Sequence, residues 1–425
     1  MMAIDSNAND WPRFRGPHGS GIAVDSDSLP TEWSRSQNIA WKSPLPGPGA
    51  SSPIIVGTKV LVTCYSGYGL DRQQPGQVED LVRHIICFDL RSGKQIWQRD
   101  VKATLPEDLY DKTGVSSHGY ASHTPVSDGE NVYCFFGKSG IHAFDLSGNK
   151  LWAADTGQGS DPPKWGSSSS PIVHDSTLIV TAAAESQSII GFDKATGRQL
   201  WKYKSRALDG TWGTPTIVKV SPDRKDLVLL VPKELWGLDP HSGKVRWRTE
   251  ADGFGQAYTN VISHEKRIYV FSGQGGGGLA MDLSQKEAAG NATAEKNPLW
   301  KSNVYTTYAT PVLHGNKIYV VSRGVLTVVA ANSGKRLQQV RLRGAKKFGN
   351  KRFGSLDYAS PVIAGQNLYW LNAKGQTFVF ELGEQLKQLS INDLSAENEV
   401  FWGSPAIARN KMVIRSSKFV YCIGR

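Results

Sequence analysis

The hydrophobic and polar positions of this chain follow a repeat that is typical of short β-strands. Each repeat begins with a Ser-Pro or Thr-Pro pair and continues with an alternating, β-branched run, which predicts a strand. Eight repeats are present, and after a first spacing of 72 residues the others lie 44–51 residues apart, close to the length of a four-stranded propeller blade. The repeats begin at Ser52-Pro53, Thr124-Pro125, Ser170-Pro171, Thr214-Pro215, Thr259-Asn260 (which fills the one gap), Thr310-Pro311, Ser360-Pro361 and Ser404-Pro405.

Inside a repeat the pattern predicts four short antiparallel strands. The third strand ends in a small residue, an apolar residue and usually an acid, as in Gly191-Phe192-Asp193; Cys87 and Cys422 take the small position in the first and last repeats. We expect both cysteines to be small buried side chains. A glycine turn and a tryptophan follow, and a large ring with one N–H suits a wedge between neighbouring blades. These tryptophans are Trp97, Trp152, Trp201, Trp247 and Trp300.

The two ends of the chain complement each other. The last repeat stops after its third strand at Ile423, whereas an extra strand over 38–43 precedes the first repeat. We therefore expect that early strand to complete the last blade, which removes an open sheet edge. The prediction is an all-β fold: a single eight-bladed β-propeller of four-stranded antiparallel blades, forming one domain over 1–425 with an N-terminal extension over 1–37.

Composition agrees with a folded β-protein. Hydrophobic residues make up 39% of the chain and charged residues 20%, which argues against a disordered or collagen-like chain. The net charge of +11 favours an anionic partner such as acidic polysaccharide, nucleic acid or anionic lipid. The four cysteines form no CxxC or adjacent pair, so no zinc knuckle or dithiol centre is indicated, and no metal site is expected. No apolar stretch of 18 residues predicts a transmembrane segment.

The segment Asp193-Lys194-Ala195-Thr196-Gly197-Arg198-Gln199-Leu200-Trp201 resembles the repeat of the PQQ-like β-propeller superfamily. That superfamily includes quinoprotein alcohol dehydrogenases and non-catalytic relatives such as the propeller lipoprotein of the outer-membrane barrel assembly machinery. The stretches 11–17 (WPRFRGP) and 118–125 (HGYASHTP) also resemble exported bacterial PQQ-like repeat proteins. The resemblance implies a periplasmic or exported protein, and because Met1 to Asn7 do not look like a signal peptide, we expect that signal to be missing from the printed sequence.

Two insertions in the first repeat, 66–83 and 98–122, fall in loops that a propeller places on one face, which we call the decorated face. Long loops on a rigid scaffold often carry recognition. The insertion over 284–299 falls on the opposite face. The decorated face also receives the basic segment 341–352, but no nucleic-acid motif accompanies it, so we do not expect a nucleic-acid partner.

Candidate ligand-binding residues come from the same loops. Cations between the second and third strands could focus a field on an anionic ligand if they converge on the channel mouth. Aromatic residues just ahead of the innermost strands could stack on sugar or quinone rings, or could only pack the channel wall. The cations are Lys138, Lys233, Arg323, Lys374 and Lys418, and the loops between blades add Trp165, Trp212, Tyr258, Tyr305, Tyr308, Asp357, Tyr358 and Trp402.

Three functions are weighed. The first choice is a binding or scaffolding propeller whose decorated face holds an acidic glycan or a protein partner. The alternative is a carbohydrate-active enzyme such as a polysaccharide lyase, which needs a base, an acid and a cation for the uronate carboxylate. The base is His118 or His123, the acid Tyr120 or Tyr258, and the cation Arg72 or Arg352.

A quinoprotein dehydrogenase is the third reading. The resemblance implies that such an enzyme carries an adjacent cysteine pair beside the quinone and acidic plus amide ligands for calcium. This chain has no Cys-Cys pair, so we expect neither PQQ with calcium nor another cofactor.

Overall fold

The computed structural model describes residues 10–424 apart from 25, 27, 72, 111–117, 252, 273–275, 285–297, 347–357 and 396–398. The described strands form eight four-stranded antiparallel sheets arranged as the blades of a propeller, which confirms the predicted fold. The sheets are blade 1, β2 Ile54–Val56, β3 Lys59–Ser66, β4 Val82–Asp89 and β5 Gln95–Lys102; blade 2, β6 Val126–Ser127, β7 Asn131–Phe135, β8 Ile141–Asp145 and β9 Lys150–Ala154; blade 3, β10 Ile172–His174, β11 Thr177–Ala182, β12 Ser188–Asp193 and β13 Gln199–Lys204; blade 4, β14 Thr216–Ser221, β15 Arg224–Val231, β16 Glu234–Leu238 and β17 Val245–Glu250. They continue with blade 5, β18 Ile262–His264, β19 Arg267–Ser272, β20 Gly277–Asp282 and β21 Trp300–Ser302; blade 6, β22 Val312–His314, β23 Lys317–Ser322, β24 Val325–Ala330 and β25 Arg336–Arg341; blade 7, β26 Val362–Ala364, β27 Asn367–Leu371, β28 Gln376–Glu381 and β29 Lys387–Asp393; and blade 8, β30 Ala406–Ala408, β31 Lys411–Arg415, β32 Phe419–Ile423 and β1 Ile39–Pro44.

Helical structure in the described chain is limited to single turns. The one α-helical turn is α1, Ala183–Ser186, and short 3-10 turns occur at Pro17–Gly19, Val78–Asp80, Gly137–Ser139 and Arg206–Leu208. No described helix is long and apolar enough to cross a membrane.

The last blade takes its outer strand from the start of the chain, as predicted. Strand β1 pairs antiparallel with β32, with Trp41 opposite Cys422, and it occupies Ile39–Pro44 where the sequence predicted 38–43. The ring of blades is therefore closed by pairing between residues about 380 positions apart, and β1 covers the edge that β32 would otherwise expose.

In blades 1 to 5 and in blade 8, the small residue of the third strand lies opposite a tryptophan of the outer strand. The cross-strand partners include Cys87 with Trp97 and Ala143 with Trp152. At Gly191 an added Cβ would come within 2.2 Å of the Trp201 ring, so a larger side chain would displace the indole. This pairing explains why Cys, Ala and Gly alternate at this position, and the two cysteines are buried free thiols.

The same tryptophan rings also lie against the next blade. Gly148 of blade 2 packs on Trp97 of blade 1, with a positive φ of 85° that favours glycine, and the Trp97 Nε1–H donates to the Leu146 carbonyl across the boundary at 3.1 Å. Trp41 makes the equivalent contact from blade 8 to blade 1, donating to the Leu90 carbonyl at 2.8 Å. Each such indole therefore joins two blades.

A closed ring of hydrogen bonds surrounds the propeller axis. One Ser, Thr or Asn from each blade accepts, through its side-chain oxygen, the backbone N–H of the equivalent residue in the preceding blade, at 2.8–3.0 Å. We call these eight residues the axial ring. They are Ser52, Thr124, Ser170, Thr214, Asn260, Thr310, Ser360 and Ser404. The ring gives a physical reason for the repeated Ser-Pro and Thr-Pro pairs, since an oxygen acceptor is needed at every position.

Residues 10–23, which we call the N-terminal segment, cross the face opposite the decorated face. Trp11 exchanges backbone hydrogen bonds with Ile55 of blade 1, and Ala23 donates to Ile363 of blade 7. Between them, the fully buried Arg15 donates to the carbonyls of Thr310 and Pro311 at 2.7 Å each. The segment therefore ties together blades that are far apart around the ring.

Candidate functional site

A cavity of about 190 Å³ occupies the propeller axis, with its wall formed by the loops between blades. We call it the funnel. The axial ring lines it, and Phe14 of the N-terminal segment forms part of the lining from the opposite face. The half-buried Arg13 and the buried Arg15 on either side of Phe14 donate to carbonyls just ahead of inner strands, which fixes the backbone that carries this aromatic side chain.

Five blades contribute an aromatic side chain to the funnel wall at one repeat position, and three blades contribute a small side chain there. The residue two positions before the axial ring is Ala50, Ser122 or Ser168 in blades 1 to 3. In blades 4 to 8 the same position holds an aromatic ring, and all five of these rings line the funnel: Trp212, Tyr258, Tyr308, Tyr358 and Trp402. The repeat thus builds an asymmetric cavity from equivalent positions.

The aromatic side chains are in direct contact with one another. Trp212 stacks on Tyr258 with ring centroids 5.0 Å apart and an angle of 13° between planes, and Tyr308 lies 5.0 Å from Tyr258 and 4.4 Å from Tyr358. Trp165 extends the series from the other side, 5.4 Å from Trp212. Such pairs restrict each ring, so the wall is preorganised to receive a flat apolar surface.

The funnel carries little charge. Among the described residues that line it there is no Lys, Arg, Asp or Glu. Burial raises the pKa of Tyr258, Tyr308 and Tyr358, which keeps their hydroxyls neutral. The polar groups that remain are mainly the hydroxyls of the axial ring, each of which accepts one backbone N–H and retains its own O–H as a donor.

His118 lies where the small side of the funnel meets a second cavity. Its Nε2 is 2.5 Å from the Trp165 carbonyl and its Nδ1 is 2.5 Å from the Ser122 hydroxyl. Because a carbonyl only accepts, Nε2 carries the proton and Nδ1 accepts from Ser122. Burial lowers the pKa of His118, so the ring is neutral and both nitrogens are already used within the protein.

The second cavity, of about 40 Å³, lies between blades 1, 2 and 3, and we call it the side cavity. Ser167 connects two buried groups in it: its hydroxyl donates to Glu185 Oε1 at 2.6 Å and lies 2.9 Å from His123 Nε2. Burial raises the pKa of Glu185 to about 7 and lowers that of His123 to about 3. The Glu185 Oε2 atom is buried with no hydrogen-bond partner in the described chain.

The insertions of blade 1 supply the charged wall of the side cavity. Arg83 forms a buried ion pair with Glu107 and donates to the Tyr120 carbonyl at 3.0 Å. Lys138 pairs with Asp108, with Nζ and Oδ1 3.2 Å apart, and is also buried. His118, Ser122 and Trp165 line both cavities, so the polar side cavity adjoins the aromatic funnel.

The structure separates the sequence candidates for acid and base. Tyr120 is buried under the insertions, where its hydroxyl donates to the Asp108 carbonyl at 2.7 Å and burial raises its pKa. His123 is 6% exposed, beside Phe135, whereas Tyr258 is in the funnel and donates to Gln256. The four groups His118, His123, Tyr120 and Tyr258 therefore do not converge on one open point.

The candidate cations do not form a described ring at the funnel mouth. Lys138 belongs to the side cavity, and the exposed Arg323 lies over Tyr305, 5.7 Å from the ring centroid. Lys233 and Lys418 are exposed and Lys374 is half-buried, and none of these residues lines the funnel. Arg72, Arg352 and Asp357, and most of the insertion over 284–299, lie outside the described residues.

Sequence reasoning missed three parts of the site. The N-terminal segment, with Phe14 at the axis, was treated only as an extension. The axial ring was recognised as a repeated motif but not as a set of acceptors; its fifth member is Asn260, and Val261 takes the place of proline. The third part, Glu185, was not predicted, although an acid in a loop position that elsewhere holds Lys or Arg was a usable signal.

Comparison with known proteins places the chain in a family. The family model described as "Outer membrane protein assembly factor BamB" matches residues 81–340 and 185–423, most of the chain. The chain therefore belongs to this family of PQQ-like repeat β-propellers. The sequence matches none of the curated proteins.

Solved structures share the fold at low sequence identity. BamB from Moraxella catarrhalis is 13% identical with a TM-score of 0.60, over 91% of this chain and 97% of that one. A europium-containing methanol dehydrogenase is 12% identical, TM-score 0.60, over 97% and 90%. The quinohemoprotein alcohol dehydrogenase from Comamonas testosteroni is 12% identical, TM-score 0.60, over 99% and 81%. At such identities the likeness concerns the fold alone.

Proposed function

We propose that this protein is a binding propeller that holds a protein partner on its decorated face, with an apolar or aromatic side chain of the partner seated in the funnel. The observation that carries the proposal is the wall of five aromatic rings from blades 4 to 8 around an uncharged cavity. Contacts that fully bury an aromatic or apolar group in a preformed pocket dominate many protein interfaces. The family description, an outer-membrane protein assembly factor, supports a protein partner.

An acidic glycan in the funnel is the weaker proposal. A uronate or sulfate would need a cation, and the described funnel lining contains none. The lyase alternative is weaker still, because His118 and Tyr120 are committed to internal hydrogen bonds. The arginines assigned to the carboxylate lie outside the described residues, so those roles rest on sequence alone.

We propose no quinone cofactor for this chain. PQQ carries three carboxylates, and with calcium it needs cationic and acidic groups around it. The funnel offers hydroxyls and aromatic rings, with no described cation or carboxylate, and Phe14 contributes to its lining. The described residues of the funnel therefore do not fit this group.

A peptide library with randomised apolar and aromatic positions, screened against the purified protein, tests the proposal. We expect binders with an aromatic or large apolar residue, and we expect Trp212→Ala and Tyr308→Ala each to weaken their binding about tenfold or more in calorimetry. Tyr305→Ala is the control, because Tyr305 is a half-buried tyrosine of the same face that does not line the funnel.

The same variants should also be tested with uronate-containing and sulfated polysaccharides. Peptide binding that is unaffected by both funnel variants would reject the placement of the site. Glycan binding that persists in those variants would place an acidic glycan elsewhere on the protein. Formation of an unsaturated, ultraviolet-absorbing product would instead establish the lyase alternative.

We also propose that the protein works in the periplasm or outside the cell. The support is the family description, which names assembly of outer-membrane proteins. The four buried free thiols are compatible with an oxidising compartment, since burial raises the pKa of Cys64 and of Cys87 to about 12 and disfavours the reactive thiolate. Fractionation of cells that express the gene from its own start, with detection of the protein in the cytoplasm alone, would contradict this.

A further inference from the structure

Two histidines and an aspartate meet at the boundary of blades 3 and 4, on the face opposite the decorated face. His174 ends β10, Asp175 follows in the turn to β11, and His241 lies in the turn between β16 and β17 of the next blade. The Asp175 Oδ2 atom is 3.3 Å from His174 Nε2 and 3.6 Å from His241 Nε2. One ligand atom from each of the three residues can be chosen so that all lie within 4.8 Å of one another.

Both turns are held in place by the blades themselves. Asp175 has a φ of 51° in a two-residue turn whose ends, His174 and Thr177, are paired in the sheet. In the other turn the Asp239 carboxylate accepts the N–H groups of His241 and Ser242, at 2.8 and 3.0 Å. The three side chains are therefore carried by well-defined backbone and not by long loops.

A contact between the blades fixes one turn against the other. Gly243 follows His241 closely and packs on the ring of Trp201, which belongs to blade 3. A Cβ at Gly243 would come within 2.3 Å of that ring, which shows how closely the turn approaches it. The blade that carries His241 is thus anchored to the blade that carries His174 and Asp175.

We propose that His174, Asp175 and His241 form a zinc site that links blades 3 and 4, with water completing a tetrahedral coordination. Zinc takes imidazole nitrogen and carboxylate oxygen at about 2.0–2.2 Å, which in a tetrahedron places neighbouring ligand atoms roughly 3.3 Å apart. The Asp175 Oδ2 atom lies 3.3 and 3.6 Å from the two imidazole Nε2 atoms, close to this value. His174 is buried whereas Asp175 and His241 are more than half exposed, so the ion has a path from solvent.

The zinc site is independent of the proposed partner-binding function, because it lies on the other face of the propeller.

The repeat provides a matched control. His264 of blade 5 ends β18 as His174 ends β10, and the following Glu265 has the same φ of 51° as Asp175. The next blade, however, has Asn332 at the position equivalent to His241. The geometry therefore assigns zinc to the boundary of blades 3 and 4 but not to that of blades 5 and 6.

The test is a titration of the full chain, without a histidine tag, with zinc in competition with a chromogenic chelator. We expect one tight site per chain, affinity lowered about tenfold or more in His241→Ala and in Asp175→Asn, and no change in His264→Ala. Cobalt substitution should give the intense visible bands of tetrahedral coordination in the wild type and in His264→Ala.

Thermal unfolding separates loss of zinc binding from loss of folding in these variants. Zinc should raise the unfolding temperature of the wild type and of His264→Ala but not that of His241→Ala, while metal-free wild type and His241→Ala should unfold alike. Zinc that does not bind, or binding of the same strength in His241→Ala and Asp175→Asn, would overturn the proposal. If His241→Ala were misfolded, the zinc affinity of Asp175→Asn would test the proposal by itself, because Asn tolerates the left-handed backbone at this position.

Discussion

A single residue of the axial ring illustrates how the repeat controls individual side chains. Asn260 replaces the Ser or Thr of the other seven blades and is 4% exposed. Its Oδ1 accepts the N–H of Thr214 at 2.8 Å, while its own N–H donates to Thr310 at 3.0 Å. What the position requires is an oxygen acceptor of suitable reach and not a particular residue type.

Substitution of Asn260 tests that requirement. Asn260→Ala leaves the buried Thr214 N–H without its acceptor, so we expect the free energy of unfolding to fall by about 1–3 kcal/mol. Asn260→Ser restores the acceptor used in other blades and should cost less. Denaturant unfolding of the two variants makes the comparison, and an equal loss in both would mean that the amide fills space and does not serve as an acceptor.

The buried Glu185 makes the stability of the folded protein depend on pH. Its pKa is raised by burial from the ordinary 4.5 to about 7, so between those values the folded protein keeps a proton that the unfolded chain has lost. The folded state then binds more protons, and this group therefore lowers stability as the pH rises through that range, with the full loss above pH 7.

Replacing Glu185 by Gln should remove this dependence. Relative to the wild type, we expect the free energy of unfolding of Glu185→Gln to rise by on the order of 3 kcal/mol between pH 4.5 and about pH 8. Unfolding at several pH values measures the difference. The exposed Glu381→Gln is the control; a wild-type to Glu185→Gln difference that does not change with pH would mean that Glu185 has an ordinary pKa in the folded state.

Residue-scale features were predictable where the repeat itself carried them. Cys87 and Cys422 were predictable as small buried side chains from the repeat alone, because most blades place a tryptophan opposite this position, Trp97 and Trp41 in these two cases. The Ser167 link between His123 and Glu185 was not predictable, since it joins residues of different blades through loops that have no counterpart in other repeats.

At the scale of elements, the N-terminal segment links blades on the face opposite the decorated face. Arg15 is 1% exposed and donates to four carbonyls, those of Gly19, Ser20, Thr310 and Pro311. Arg13 makes one long hydrogen bond, to Pro215 at 3.5 Å. Burial lowers the pKa of Arg15 to about 9, and the four carbonyls offset part of the cost of burying its charge.

The difference between these arginines predicts unequal effects. Arg15→Ala should lower the free energy of unfolding by about 3 kcal/mol and make the N-terminal segment accessible to protease, because several buried carbonyls lose their donors. Arg13→Ala should have a smaller effect on both. Chemical denaturation and timed proteolysis measure the two quantities, and cleavage of the segment at the wild-type rate in Arg15→Ala would show that Arg15 does not hold it.

The strands were predictable from the sequence, and the path of the N-terminal segment was not. Alternating β-branched runs specify strands locally, and the repeat spacing specifies how many blades there are. The segment instead uses backbone bridges to Ile55 and Ile363 together with a few buried side chains, a pattern that has no period in the sequence.

At the scale of the whole molecule, stability depends on closure of the ring. Trp41 of β1 joins blade 8 to blade 1: its ring packs on Gly93 and its N–H donates to Leu90. Trp152 makes the corresponding contact between blades 2 and 3, with Gly197 and Lys194. The two contacts are locally alike, but only the first is the seam at which the chain meets itself.

Substitution of these two tryptophans separates closure from ordinary blade packing. Both Trp41→Ala and Trp152→Ala should lose about 3–5 kcal/mol of stability through lost packing. Only Trp41→Ala should speed amide hydrogen exchange in β1 and β32, because the seam opens without unfolding the other blades. Exchange measured by mass spectrometry checks this, and equal protection of β1 and β32 in both variants would contradict a special role for the seam.

The pairing of β1 with β32 also has a consequence for biosynthesis. Strand β1 leaves the ribosome long before its partner over 419–423. Blade 8 therefore cannot form until β32 has been synthesised, and the growing propeller presents an incomplete ring up to that point. The nascent chain must be kept from associating with its neighbours until β32 is available.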